Sequence, residues 1–258
     1  MEFISILLSS LLFIGSPIGF GLDTLAENAL RSRLNGAEDI QVRVDNGSNF
    51  NLLKGKIDGL QVGTRGIYPV PGFRVAIADL ETDPIDLDFG KLQRGKVVLD
   101  QPLNGALHVV ITPEDLNQYL QSPEFIQQLN EINIPLDNAA QSREFNRYQL
   151  TNPKATFLAN NRLQLELDLN DPIREENLKI KAQTGFTIEN GHRLILLDPE
   201  VSVNDSPVPE QIFENMEDLL SLRRLEASGI TTRILDASIS PEQFDVTLWV
   251  SIDPSFTR

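Results

Sequence analysis

The sequence has no cysteine, only two histidines and a single tryptophan. Disulfides, thiolate nucleophiles and cysteine-based metal sites are therefore excluded. The compartment stays open, because a chain with a sufficient core is stable without disulfides in an oxidising space. Basic residues are also scarce: 22 Lys and Arg stand against 37 Asp and Glu, a formal net charge of −15. Binding to nucleic acid needs clustered Lys and Arg, so that class is excluded, and simple electrostatic docking on an anionic membrane is disfavoured. The acidity is uneven. Residues 31–100 carry 10 basic and 10 acidic side chains, whereas residues 101–258 carry 12 against 24. The later acidity reads as a solvated, repulsive surface.

Signatures of catalysis are missing as well. There is no Gly-x-Ser-x-Gly, no phosphate-cradling glycine loop and no dinucleotide fingerprint. His108 lies in an apolar strand pattern and reads as a hydrogen-bonded sheet residue. His192 follows an Asn-Gly turn and reads as a solvated loop residue. Two histidines without a spaced partner make no zinc motif. Asp86 and Asp88, and later Glu166 and Asp168, are spaced to share a strand face, where paired carboxylates do acid–base work or bind a cation. Carboxylates alternating with leucines are, however, what a solvent-facing strand looks like. "DLNDPIREEN" is rich in oxygen ligands but lacks the turn glycine and spacing of an EF-hand loop. No enzyme activity, metal or cofactor is expected.

What the sequence does contain is apolar alternation. At 258 residues and 41% hydrophobic composition, the chain has enough apolar surface for one substantial domain. Its start is distinct: residues 3–22 carry no charge over a length sufficient to span a bilayer as a helix. Glu2 stands where a signal peptide would carry Lys or Arg, and Gly15, Pro17, Gly19 and Gly21 interrupt the later half. Residues 1–22 are expected to be a signal, anchor or interfacial segment, and residues 23–258 a single domain.

Within that domain "DTLAENALRSRL" reads as a short helix capped by Asp23, with Leu25, Ala29 and Leu30 on one face. Period-two alternation then dominates. It runs through Ile40, Val42 and Val44; through Ile57, Leu60 and Val62; through Val75, Ile77 and Leu80; and through Ile85, Leu87 and Phe89. Leu107, Val109 and Ile111 continue it on a strand that Ala106, His108 and Val110 make apolar on its other face too. Thr112 then caps a helix, with Pro113 at the first helical position and Asp115 placed to reach back as in a capping box. Ser122-Pro123-Glu124 repeats the start signal, with Phe125, Ile126 and Leu129 extending the apolar stripe. Ile134 to Ser142 reads as a loop. Leu163, Leu165, Leu167 and Leu169 share one strand face, and the Asn190-Gly191 pair marks a hairpin. Pro207 to Leu225 has the pattern of the longest amphipathic helix, burying Ile212, Met216, Leu219 and Leu220. A turn at Ser240 to Gln243 separates two final strands, the second alternating from Phe244 to Ile252.

About nine strands each offer an apolar face, while few helices are available to cover them. Such faces must be buried against something. The solutions are a closed or sandwiched sheet, a curved sheet rolled around a helix, or an interior shared with an apolar ligand.

"LLKGKIDGLQV", "IADLETDPIDLD", "LDQPLNGALHVVITPEDLNQYLQSPEF" and "NNRLQLEL" together resemble the LmeA-like phospholipid-binding family of bacteria. The resemblance extends from about Asp23 to Ile252. It rests on Gly55 and Ile57, Leu80-Glu81-Thr82, Pro102, and Thr112 with Asp115-Leu116-Asn117 leading to Ser122-Pro123. It implies an α+β fold in which a strongly curved antiparallel sheet wraps one long helix, as in tubular lipid-binding proteins, with additional short helices. It also implies a membrane-associated or extracytoplasmic protein of the cell envelope that holds phospholipid in an elongated apolar cavity. The family supplies no catalytic residue. On this reading the cavity is lined by Leu107, Val109, Ile111, Leu116, Leu120, Phe125, Leu163, Leu165, Leu167, Phe186, Ile188, Ile212 and Met216. Headgroup contacts would come from Lys54, Lys56, Arg65 and Arg74, or from Lys91, Arg94 and Lys96. The alternative is a non-enzymatic adapter at a membrane surface, with a fully self-packed sheet. The lipid headgroup and any protein partner stay undetermined.

Overall fold

Strand alternation decides which face each sheet buries. The computed structural model describes residues 27–28, 30–31, 34–45, 51, 54–94, 98–131, 148–172, 174, 176–208 and 229–257. Their elements are, in order, β1 (Ala37–Asp45), β2 (Lys56–Ile57), β3 (Gly59–Val70), β4 (Phe73–Thr82), β5 (Ile85–Asp86), α1 (Phe89–Leu92) and β6 (Leu103–Ile111). There follow α2 (Pro113–Leu120), α3 (Pro123–Glu131), β7 (Gln149–Leu158), β8 (Arg162–Asp171), β9 (Glu176–Glu189) and β10 (Arg193–Val203). The last strands are β11 (Ser206–Pro207), β12 (Ile230–Ile239) and β13 (Phe244–Ile252).

The first sheet has six antiparallel strands in the order β1–β3–β4–β6–β13–β12. Its register sets Val42, Val62, Leu80, Leu107, Leu248 and Ile234 side by side, one from each strand. All six are buried. Residues two apart along each strand extend a face that is mainly apolar and includes the buried Thr64 and Thr232; complete burial of each aliphatic side chain on it is worth about 1.5–3 kcal/mol. Leu30 and Leu34 join this core, and Glu27 and Arg31 form an ion pair one helical turn apart at 2.9 Å.

The second sheet is an antiparallel meander, β11–β10–β9–β8–β7. Its turns are built for tight reversal. Asn160 and Asn161 both have positive φ, as do Asn190 and Gly191, in the three-residue loops that join β7 to β8 and β9 to β10. Both turns abut β12, an edge strand of the first sheet. The amide of Ile234 donates to the Gly191 carbonyl, and the amide of Ile239 donates to Asn161 Oδ1 at 2.9 Å. Ile188 and Leu194 pack onto the core of the first sheet, and the rings of Phe186 and Phe244 meet edge-on at 6.4 Å. The apolar face of one sheet thus runs into that of the other.

Three local expectations are corrected. "PIDLDF" is not a continuous strand: β5 stops after Asp86, and Asp88 caps α1 by accepting from the Lys91 amide at 3.0 Å. A short polar side chain followed by Phe-Gly-Lys-Leu favours the cap over further strand. Asp115 does not reach back in a capping box. Thr112 does accept from the Asp115 amide at 3.1 Å, but the Asp115 carboxylate turns to Arg74 at 2.9 Å. His192 is buried rather than solvated, with Nδ1 2.9 Å from the Asn190 carbonyl, because its turn docks on β12.

The architecture is therefore mostly antiparallel sheet with short helices, and the described strands close no barrel. A long helix wrapped by the sheet is not seen among the described residues. The expected helix from Pro207 to Leu225, the loop from Ile134 to Ser142 and the apolar segment 1–22 lie outside them, apart from Pro207 and Val208. Among the described residues no helix is long and apolar enough to cross a membrane.

Candidate functional site

The second sheet has an apolar face that its own chain does not fully cover. Across the strands Ala155, Leu165, Ala182 and Val201 form one row, and Leu167, Ile180 and Val203 form the next. Ala155 is buried, but Leu165 is 43% exposed, and Leu167, Ile180, Ala182, Val201 and Val203 are half-buried. Leu165 sits on β8, with β7 and β9 bonded to either side, so the opening lies within the sheet and not at a frayed edge. Toward the first sheet the face closes. Phe157 is buried, and Ile188 packs on the shared core. Beyond Leu167 the face closes again at the buried Leu169, so the exposure centres on Leu165, and exposed apolar surface of this kind is a place for an apolar ligand.

Strand β7 forms one edge of this sheet, and the two helices that follow β6 cap it. Asn117 on α2 donates from Nδ2 to the Ala155 carbonyl at 2.7 Å and accepts at Oδ1 from the Ala155 amide at 2.8 Å. Asn130 on α3 repeats this at Leu150, with 2.9 Å and 2.8 Å. A carboxamide carries one donor and one acceptor side by side, so each asparagine pairs with β7 as a neighbouring residue of a strand would. Helices α2 and α3 are joined at Ser122, whose hydroxyl accepts from the Phe125 amide at 3.2 Å. Tyr119 packs between Phe73 of β4 and Phe125 of α3, with ring centroids 4.9 and 5.2 Å away.

The basic residues lie elsewhere and are engaged. Lys56 meets Asp86 at 2.8 Å, and that carboxylate raises the lysine pKa above its ordinary value. Arg65 meets Asp79 at 2.8 Å. Arg74 binds Glu38 through Nε at 2.8 Å and Nη2 at 2.9 Å, and reaches Asp115 through Nη1 at 2.9 Å. Its hydrogen bonds to Glu38 raise the guanidinium pKa further and hold the Glu38 carboxyl below its usual range. Lys54 is exposed in the turn before β2. Lys91 and Arg94 belong to α1 and its C-terminal turn, where Lys91 lies 3.5 Å from Asp88, and Lys96 is outside the described residues.

A profile of the LmeA-like phospholipid-binding family matches residues 16–248, nearly the whole chain. The chain belongs to the LmeA-like phospholipid-binding family. Neither a curated protein nor a solved structure matches it. The family is described by what it binds and not by a reaction. Asp86 is tied to Lys56 and Asp88 to a helix cap, so the two do not converge on a common substrate. Among the described residues no group of three or more His, Asp or Glu side chains is arranged to hold a metal ion.

Against this geometry the apolar candidates from the sequence separate into groups. Leu107 and Val109 are buried in the packed row of the first sheet, and Ile111 and Leu116 pack against that core. Leu120 and Phe125 lie half-buried on the helix pair. Leu163, Leu165, Leu167 and Phe186 belong to the open sheet, and Ile188 marks where it joins the core. Ile212 and Met216 lie outside the described residues. Leu178, Ile180, Ala182, Val201 and Val203 share the open face without having been singled out. "LKIKAQ" carries the signal for the first three, because its apolar residues recur at every second position.

Proposed function

We propose that the protein binds phospholipid by its acyl chains on the open apolar face of the second sheet and catalyses no reaction. The observation that carries this reading is Leu165. It is a large apolar side chain on an interior strand, in a row of aliphatic neighbours, and it is 43% exposed. Exposed aliphatic surface in the middle of a sheet is unfavourable in water, and each methylene laid upon it recovers about 0.8 kcal/mol. A diacyl lipid offers dozens of such groups, so the site requires few polar anchors. Membership of a phospholipid-binding family supports the same ligand class.

The reading extends to what surrounds the sheet. The amphipathic pattern of Pro207 to Leu225 makes it the candidate for the helix that the sheet curves around, turning the open face into an elongated cavity. The uncharged segment 1–22 would hold the protein at a membrane of the cell envelope, where lipid is taken up or delivered. A role in envelope lipid homeostasis follows from that placement.

Native mass spectrometry of the full chain, followed by solvent extraction, tests the reading. A stoichiometric co-purifying phospholipid is the expected result. A chain that stays empty after incubation with mixed lipid vesicles would instead favour a self-packed adapter at the membrane surface.

A further inference from the structure

We infer that the site selects its lipid by acyl chain and that an anionic headgroup brings no gain in affinity. The inference rests on the lipid-binding reading above and narrows the ligand to diacyl lipids recognised through their tails, zwitterionic ones included.

The first observation is the sorting of charge by strand parity. From Leu163 to Leu169 on β8 and from Leu178 to Ile188 on β9 the residues that share the open face with Leu165 are all uncharged, and the charges at its far end, Asp171 and Glu176, are both acidic. The polar one among the uncharged residues is Thr184, and its hydroxyl already donates to the Gly185 carbonyl at 2.7 Å and the Leu197 carbonyl at 3.2 Å. The other charged residues occupy the opposite face, where they stand against partners of opposite sign. Glu166 lies across from Lys154 on one side and Lys181 on the other, and Asp168 lies across from Lys179. A cation on that face would have to cross the sheet to meet a headgroup lying among the leucines.

The second observation is that the basic residues expected to meet a headgroup, Lys56, Arg65 and Arg74, are already matched. Each has a carboxylate within 2.9 Å. A phosphodiester could recruit one of them only by displacing a carboxylate that the chain itself holds in place. The net charge of −15 adds repulsion of an anionic lipid, which grows as salt is lowered.

The third observation is length. Leu169 is buried, so the accessible leucines run from Leu163 to Leu167, four residue steps along β8 or about 13 Å at the usual rise of a strand. One leaflet of a bilayer's hydrocarbon core is about 15 Å deep, which is the reach of an ordinary acyl chain. A chain laid along β8 therefore meets leucine over most of its length, and chains much shorter than the stripe leave leucine uncovered. Affinity should rise with each methylene until the stripe is filled.

The test is calorimetric titration of the full chain with dihexanoyl, dioctanoyl and didecanoyl phosphatidylcholine and the matching phosphatidylglycerols, each below its micelle concentration. Each added methylene is expected to tighten binding, by up to about fourfold where burial is complete. At matched length the two headgroups should agree to within about twofold at physiological salt, with the glycerol lipids the weaker at low salt. Tighter binding of the phosphatidylglycerols by tenfold or more, lost on adding salt, would overturn the inference and point to a cationic headgroup site. Affinities that ignore chain length would also overturn it. If no lipid of either series binds at any length, the lipid-binding reading itself fails, which is a separate result.

Discussion

Asn117 holds Ala155 by both of its backbone groups, with its carboxamide donating to the carbonyl at 2.7 Å and accepting from the amide at 2.8 Å. A third hydrogen bond, to the Pro113 carbonyl at 2.7 Å, fixes the side chain within its own helix. The contact does two things. It fastens the helix pair after β6 to the second sheet, and so ties the two sheets together. It also occupies an edge strand that would otherwise present free donors and acceptors to another chain.

Asn117→Ala should therefore destabilise the fold by about 2–4 kcal/mol, because two part-buried backbone groups lose their partner together. Urea denaturation measures this directly. Asn117→Asp keeps the acceptor for the Ala155 amide and loses the donor, so it should recover part of the loss. Asn130→Ala acts at a more exposed place and should cost about 1 kcal/mol. The double variant frees both ends of β7 and should elute as a larger species in size-exclusion chromatography. A double variant that stays monomeric with wild-type stability would refute the edge-capping role.

The strands were readable because their cause is local. Leu163, Leu165, Leu167 and Leu169 alternate with polar residues, and alternation alone fixes both the strand and its two faces. The Asn190-Gly191 turn is equally local, since its positive φ angles need those residue types. The errors arose where a distant partner decides the outcome. Asp115 carries a capping-box position, but Arg74, 41 residues earlier, takes its carboxylate. His192 follows a turn that looks solvated, and only the docking of that turn on β12 buries it. The open face lies between these cases. Its leucines are plain in the sequence, whereas their exposure depends on what the rest of the chain leaves uncovered. Leu107 and Leu165 both stand on an apolar strand face; one is 1% exposed and the other 43%.

The Arg74 cluster should make stability depend on pH. Glu38 has its carboxyl held below an ordinary value of 4.5 by hydrogen bonds from Arg74. A carboxyl depressed in the folded state contributes its full stabilisation above its unfolded value and loses it as pH falls through the folded one. Glu38→Gln should lower Tm at pH 7, by a margin that shrinks as pH falls below 4.5 and vanishes once Glu38 is protonated in the folded state as well. Thermal melts across that range check the sign. A deficit that persists in acid would mean that the glutamine disturbs packing and that the charge is not what matters.

Asp86 and Asp88 test the absence of carboxylate chemistry. Asp86→Asn breaks an exposed ion pair with Lys56, which is worth about 0–1 kcal/mol. Asp88→Asn keeps an oxygen that can cap α1. Neither residue lies on the second sheet, so both variants should carry the same amount of lipid as the wild type in native mass spectra. A folded variant that fails to load lipid would move the site to the β2–β5 pair and α1.

Aspartate placed at two leucines separates the packed face from the open one. At Leu107 a charge would sit in the middle of the six-strand row, with no water and no cation beside it. An unpaired buried charge costs more than a domain's whole stability margin of about 5–15 kcal/mol unless it is neutralised, so Leu107→Asp should not fold. Leu165 also lies on an apolar strand face, between Leu163 and Leu167, but water reaches it. Leu165→Asp should therefore fold, with a two-state melt close to the wild type, and should lose its lipid. Circular dichroism and lipid extraction on the same sample give both answers. If Leu165→Asp fails to fold, the face is closed in solution and Leu165 is core. If it folds and stays fully loaded, the lipid lies elsewhere, because an acyl chain cannot rest against an ionised carboxylate without a cost of several kcal/mol.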